Sequence, residues 1–127
     1  MKIGFTEELG PFLTDAKGMT VYLFTKDTTA GTSACTDTCA TSWPPVPATT
    51  ELLLPPGIPG VLGALIRADG TRQLTYNDIP LYYFAGDKQA GDTTGQEVGN
   101  VWYVVTPGLN LGEPPHEAAA TGTTASS

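Results

Sequence analysis

"YLFTKD", Tyr22 to Asp27, and "YYFAGD", Tyr82 to Asp87, share the spacing Y-x-F-x-x-D. Whether that spacing marks a reaction site or a fold decides how the rest of the chain is read. On a strand, residues i and i+2 share a face, so Tyr22 with Phe24, and Tyr82 with Phe84, each form an aromatic ridge that buries a large area. Asp27 and Asp87 then stand at strand ends, where a carboxylate accepts backbone N–H bonds and fixes the loop that follows. The rival reading brings the two acids together as a general acid–base pair, which needs a cleft and shifted pKa values. Strand-end Asp is commonly a turn former, so the structural reading is adopted.

Working outward, each acid is followed by a polar, Gly-containing loop and then a tryptophan. Asp27 reaches Trp43 across fifteen residues and Asp87 reaches Trp102 across fourteen. Four landmarks in one order, twice, predict two equivalent β units. In the first, "PFLTDAKGMTVYLFTKD" reads as two strands around an Asp15–Gly18 turn. Val21 and Leu23 alternate with Tyr22 and Phe24, so both faces of this strand are apolar and both are expected to be covered. "ACTDTCATSW" has room for a turn of helix before Pro44 and Pro45. In the second, strands are expected near 64–67, 71–76 and 80–84 as an antiparallel meander, then "VWYVVTP", stopped by Pro107. The expectation is an all-β single domain over 1–107, sandwich- or barrel-like. Its units span about 9–47 and 63–107, joined by a Pro-rich covering segment, 48–62, and both tryptophans share one core. Residues 108–127 lose hydrophobic pattern and read as a flexible tail.

Composition agrees with many short strands, since fifteen Gly and eleven Pro in 127 residues would interrupt helices. A net charge of −7 repels phosphate backbones and anionic membrane surfaces, which argues against nucleic-acid binding. No window approaches the ~18 apolar residues of a membrane span. "MKIGFTEELG" lacks the apolar region of a signal peptide. Cys35 and Cys39 fit either a local disulfide in an oxidising compartment or a reduced pair in the cytosol, and composition leaves both open.

The stretches "DAKGMTVYLFTKD", "SACTDTCATSWPPV", "RADGTRQLTYNDIPLYYFAGD" and "DTTGQEVGNVWYVVTP" together resemble a bacterial secreted-repeat lipoprotein family. That family is named for its Y-x-(F/W/Y)-x-x-D motif, and its function is unassigned. The resemblance covers Leu9 to about Pro107, and the paired cysteines ahead of Trp-Pro-Pro are its most specific part. It implies an exported protein, secreted, periplasmic or at the cell surface, commonly lipid-anchored, and no established reaction. The chain shows no lipobox cysteine, so it is expected to be a mature or trimmed form starting at an added Met1.

Export makes a Cys35–Cys39 disulfide the favoured state, stapling the loop ahead of Trp43. A redox pair is the rival, but "SACTDTCATS" offers Asp37 and no base to lower a thiol pKa, and the spacing is not C-x-x-C. Zinc would need two further ligands, and the single histidine, His116, lies in the expected tail. Asp87, Asp92 and Glu97 offer oxygens to calcium without the EF-hand pattern, so a solvated acidic loop is expected instead. No cofactor or metal is expected, and no nucleophile elbow, phosphate loop or Cys/His dyad is present. The expected function is a non-enzymatic extracytoplasmic module that binds a protein, polymer or small ligand. Tyr76 and Tyr103 either serve as surface aromatics that stack on sugars or anchor a protein interface, or pack within the sheet, and self-association through a β edge is a further possibility. The alternative is an electron-transfer or thiol-redox accessory protein of the envelope, using Cys35 and Cys39 or a bound cofactor.

Overall fold

The two motif tyrosines pair with each other. In the computed structural model, which describes residues 1–7, 9–27, 33–35, 38–48, 54, 56–67 and 69–111, the Tyr22 N–H donates to the Tyr82 carbonyl at 2.7 Å. The Tyr82 N–H returns the bond to Tyr22 at 3.0 Å. This antiparallel bridge sits where the two units meet, and the rest of the architecture is arranged around it.

Ahead of the first motif, β1 (Lys2–Thr6) and β2 (Gly10–Thr14) form an antiparallel hairpin with Ile3 opposite Leu13. The Thr6 hydroxyl accepts from the Leu9 N–H in its turn. β3 (Tyr22–Phe24) carries the motif, and a short helix, α1 (Thr38–Ser42), precedes Trp43. In the second unit, β4 (Leu62–Ile66), β5 (Arg72–Tyr76) and β6 (Ile79–Pro80) form the expected meander, with strand order β4-β5-β6. Asn77 and Asp78, both at positive φ, make the two-residue turn between β5 and β6. β7 (Trp102–Val104) closes the chain's strand set. The protein is all-β, its described strands antiparallel.

The closing strands do not pair within their own units. β7, from the second unit, pairs antiparallel with β3 of the first, Tyr22 opposite Val104 and Phe24 opposite Trp102. Reciprocally, the Trp43–Val46 segment of the first unit lies along the second motif. Pro44 accepts from the Tyr83 N–H at 2.7 Å, and the Val46 N–H donates to Leu81 at 3.0 Å. The exchange continues one layer out, where the Leu13 N–H donates to Val105 and the Leu74 N–H to Val46. Pro44 and Pro45 carry no N–H, so the first-unit copy of this strand survives only as isolated bridges, whereas "WYVV" forms a regular ladder.

Both faces of the motif strands are covered, as their alternation requires. On one face Val21, Leu23, Leu81, Val46, Val105, Leu13 and Leu74 pack together. On the other lie Tyr22, Tyr82, Trp43, Trp102, Phe12, Val104 and Cys35.

Several expectations shift. β1 precedes Leu9, where the first unit was expected to start; its alternation is weak because Phe5, 68% exposed, points to solvent from an edge strand. The expected strand 80–84 is only Ile79–Pro80 followed by the Tyr82 bridges, because its partner is the proline-bearing segment. Tyr76 and Tyr103 are buried and serve the core, not the surface. Leu109 is buried and Leu111 packs beside it, so the packed body runs past Pro107. Of the Pro-rich segment, Leu54 and Ile58 cover the core as expected; residues 49–53 and 55, and the tail from 112 to 127, lie outside the described residues.

Bonds that cross between units break only if the units separate. The amides of Tyr22, Val46, Leu74 and Tyr82 are therefore expected to exchange hydrogen only through global unfolding. Native-state hydrogen exchange should give these four one common opening free energy, equal to that from denaturant unfolding.

Candidate functional site

The motif residues converge on one buried cluster. Tyr22, the first residue of β3, has no exposed surface, and its hydroxyl donates to Asp87 Oδ2 at 2.6 Å. Tyr82, equally buried, donates to Asp27 Oδ2 at 2.7 Å. Each tyrosine thus satisfies the acid of the other motif. The second oxygen of each carboxylate turns to its own loop, where Asp27 Oδ1 accepts from the Ala34 N–H and Asp87 Oδ1 from the Thr94 N–H and hydroxyl. Both loop contacts lie seven residues downstream of the acid, so the same Asp that ends the motif sets the course of the chain toward its tryptophan.

Those tryptophans complete the cluster. Trp43 and Trp102 stack with centroids 3.9 Å apart and rings 1° from parallel. Phe84 lies on the outer face of Trp43 and Phe24 on that of Trp102, at 4.2 and 4.3 Å. The result is a four-ring column, Phe84-Trp43-Trp102-Phe24, whose rings alternate between units in pairs. Tyr22 and Tyr82 stand T-shaped to Trp43 and Trp102, with centroids 5.5 and 5.1 Å apart, beside the column whose stacked neighbours take both indole faces. Each such pair is worth about 0.5–1.5 kcal/mol beyond the area it buries. Gly95 makes room for the column: a Cβ there would stand 2.8 Å from Trp43 and 2.9 Å from Tyr22. Its N–H also donates to the Tyr22 hydroxyl.

Burial raises the Asp27 pKa above the ordinary carboxylate range, against the opposing pull of the Ala34 N–H, the Tyr82 hydroxyl and the Arg67 charge. Burial also raises both tyrosines, with the neighbouring carboxylates adding to it, so each keeps its proton to donate. Among the described residues, Arg67 has no counterpart in the other half. It donates to Ser33 Oγ at 2.9 Å, to Gln73 Oε1 at 2.8 Å and to the Cys35 carbonyl at 2.6 Å. Ser33 in turn shares a hydrogen bond with the Tyr82 hydroxyl. Arg67 therefore ties the cysteine loop to the meander beside Asp27; nothing in the sequence patterning pointed to it, because its partners are distant in the chain.

Cys35 and Cys39 form a disulfide beside α1. Cys35 is fully buried against the aromatic cluster, a position that hinders attack by an external thiolate. Asp92, one of the acids considered for calcium, uses Oδ2 to accept from the Lys88 and Gln89 N–H groups. Among the described residues, no three His, Cys, Asp or Glu side chains are placed to hold a metal ion. The acid pair does not form an open catalytic site: Asp27 and Asp87 are 5% and 7% exposed and are bonded through both oxygens.

Away from the cluster, one cleft of about 260 Å³ opens between the units. Val46 and Leu74 floor it, while Lys17 and the Asp15–Tyr83 hydrogen bond, 2.8 Å, stand at its rim. The sequence reading had treated Asp15 to Gly18 as a turn only. Asp15 is that turn's organiser, accepting from the Lys17 and Met19 N–H groups through Oδ1, and its second oxygen joins the cleft.

A family model described as a secreted repeat of unknown function matches this chain twice, over residues 5–47 and 63–106. No curated protein and no solved structure matches it. The two matched stretches are the halves whose closing strands are exchanged. No described helix is long and apolar enough to cross a membrane.

Because the folded Asp27 pKa is raised, its share of stability is whole below the unfolded carboxylate value and is lost as pH rises through the folded value. Asp27→Asn should flatten that part of the curve. Urea unfolding across the acidic range should show the difference between wild type and variant growing from low pH toward neutrality, in the variant's favour. Removing the disulfide releases a short loop, so Cys35→Ala/Cys39→Ala should lower unfolding free energy by roughly 2 kcal/mol. Near-UV circular dichroism of the folded variant should keep the tryptophan signals, since Trp43 is held by stacking as well as by the loop.

Proposed function

Because this chain belongs to a family of secreted repeats of unknown function, we propose that it is a non-enzymatic module working outside the cytoplasm at the bacterial envelope. There it binds a protein, a polymer or a small ligand on its surface, and in its precursor it is carried by a lipid anchor. The observation that carries the reading is the use of the motif acids. Both carboxylates are buried and bonded through both oxygens inside the protein, so the motif serves to join the units. Recognition then falls to the surface, and the cleft between the units offers a place for it.

An apolar floor with a few convergent polar groups is the usual form of a small-ligand site. Val46 and Leu74 supply the floor, Lys17 a cationic rim and Tyr83 with Asp15 a hydrogen-bonding edge. This suits a ligand, or the end of a polymer, that carries an acidic group next to an apolar one.

The test is a titration of the ¹⁵N-labelled chain with fragments of envelope polysaccharide and with short acidic peptides. Saturable shifts confined to the amides around Asp15, Lys17, Leu74 and Tyr83, and abolished by Lys17→Ala, are expected. Shifts centred on Tyr22, Tyr82, Asp27 and Asp87, accompanied by conversion of the added compound, would instead reveal a reaction site and overturn the reading.

A further inference from the structure

We infer that each repeat is a half-site whose partner can come from a second copy of this chain: the surface that joins the two repeats is a repeat-recognition interface, used between molecules as well as within one. The inference needs no ligand in the cleft, since it rests on the protein's own contacts across the unit boundary.

The argument rests on which contacts stay within a repeat and which cross. The T-shaped contacts of Tyr22 with Trp43 and of Tyr82 with Trp102 stay within a repeat, and the features that join the two rows of rings cross. The ladder of β3 with β7 crosses, as do the bonds of Tyr83 and Val46 to the other half. So do both tyrosine–carboxylate bonds and the tryptophan stack. What else stays within a repeat is a hairpin or meander and a loop capped by its own Asp. A lone repeat would expose an unpaired indole face, a buried carboxylate lacking its tyrosine, and a motif strand without its ladder.

The interface is also self-complementary. Tyr22 and Asp27 meet Tyr82 and Asp87 as Tyr82 and Asp87 meet Tyr22 and Asp27, the reciprocity of a two-fold dimer interface. A surface of that kind does not distinguish a repeat on the same chain from one on another. The only covalent constraint is the connection from about residue 47 to 62, whose sixteen residues include four prolines. Fully extended, it spans up to about 50 Å. With that connection drawn out, repeat 1 of one chain closes on repeat 2 of a second, and the remaining two repeats close likewise. Every native contact at the boundary is then remade, so chain concentration decides between monomer and exchanged dimer.

Full-length Trp43→Ala and Trp102→Ala chains provide the test. Parallel indoles at 3.9 Å couple in the far-ultraviolet, and each variant alone lacks that circular-dichroism couplet. Unfolded together and refolded at high concentration, they form mixed dimers in which one of the two composite bodies holds both tryptophans. With equal amounts and random pairing, half of the dimers are mixed and each holds one couplet in place of two, so the couplet should return at about a quarter of the wild-type amplitude, in a species of twice the mass. A mixture that stays monomeric, or that dimerises without the couplet, overturns the inference. In case neither variant refolds, wild-type chains labelled with ¹⁴N and ¹⁵N are refolded together and weighed intact. Mixed-mass dimers that form only through unfolding support exchange; exclusively monomeric chains, or dimers that swap partners without unfolding, overturn it.

Discussion

A carboxylate removed from water must be bonded through its oxygens or it destabilises the fold that holds it. Asp27 and Asp87 meet that demand with one oxygen locally and the other across the unit boundary. The rest of the structure follows from where those second partners come from. A tyrosine placed by one unit's strand satisfies an acid placed by the other's, which brings the two motif strands into register at the Tyr22–Tyr82 bridge. That register in turn sets the tryptophans face to face. The same two residue types would make an ordinary strand and turn if each pair were confined to its own unit.

Much of this was legible in the chain. The period-2 alternation around Tyr22 implied a strand covered on both faces, and the repeated order of Tyr, Phe, Asp and Trp implied two related units. Asp27 bonds the Ala34 N–H, and Asp87 the Thr94 N–H and hydroxyl, each in the loop that follows it. What could not be read was partnership. Because the units carry the same pattern, pairing Trp102's strand with its own motif or with the other satisfies the alternation equally well; only the three-dimensional balance of buried contacts chooses. Tyr76 illustrates the other gap. The sequence left both a surface and a sheet-packed place open to it, and its hydroxyl donates to the Pro59 carbonyl and accepts from the Gly108 N–H, far along the chain.

Divergence between the halves is confined to places where the shared geometry tolerates it. Pro44 and Pro45 stand where Tyr103 and Val104 stand in the other half, losing N–H donors but keeping the carbonyls that Tyr83 needs. The first loop is held by a disulfide and by Arg67, and the second by Gly95 close against the rings. Both devices solve one problem, fixing the chain between an Asp and a Trp. A disulfide does so by limiting the unfolded chain, a close-packed glycine by letting the backbone approach.

The register of β3 on β7 also determines how the protein answers force. Tyr22, the first residue of one strand, lies opposite Val104, the last of the other, and Phe24 lies opposite Trp102. Tension applied between the chain ahead of Tyr22 and the chain beyond Val104 therefore enters at the same end of the ladder. The hydrogen bonds are loaded one after another, as in a zipper, and do not share the load as they would in shear. A molecule tethered through its two ends would yield at low force from that edge inward, exposing Val104 before the stacked indoles beneath Phe24 part.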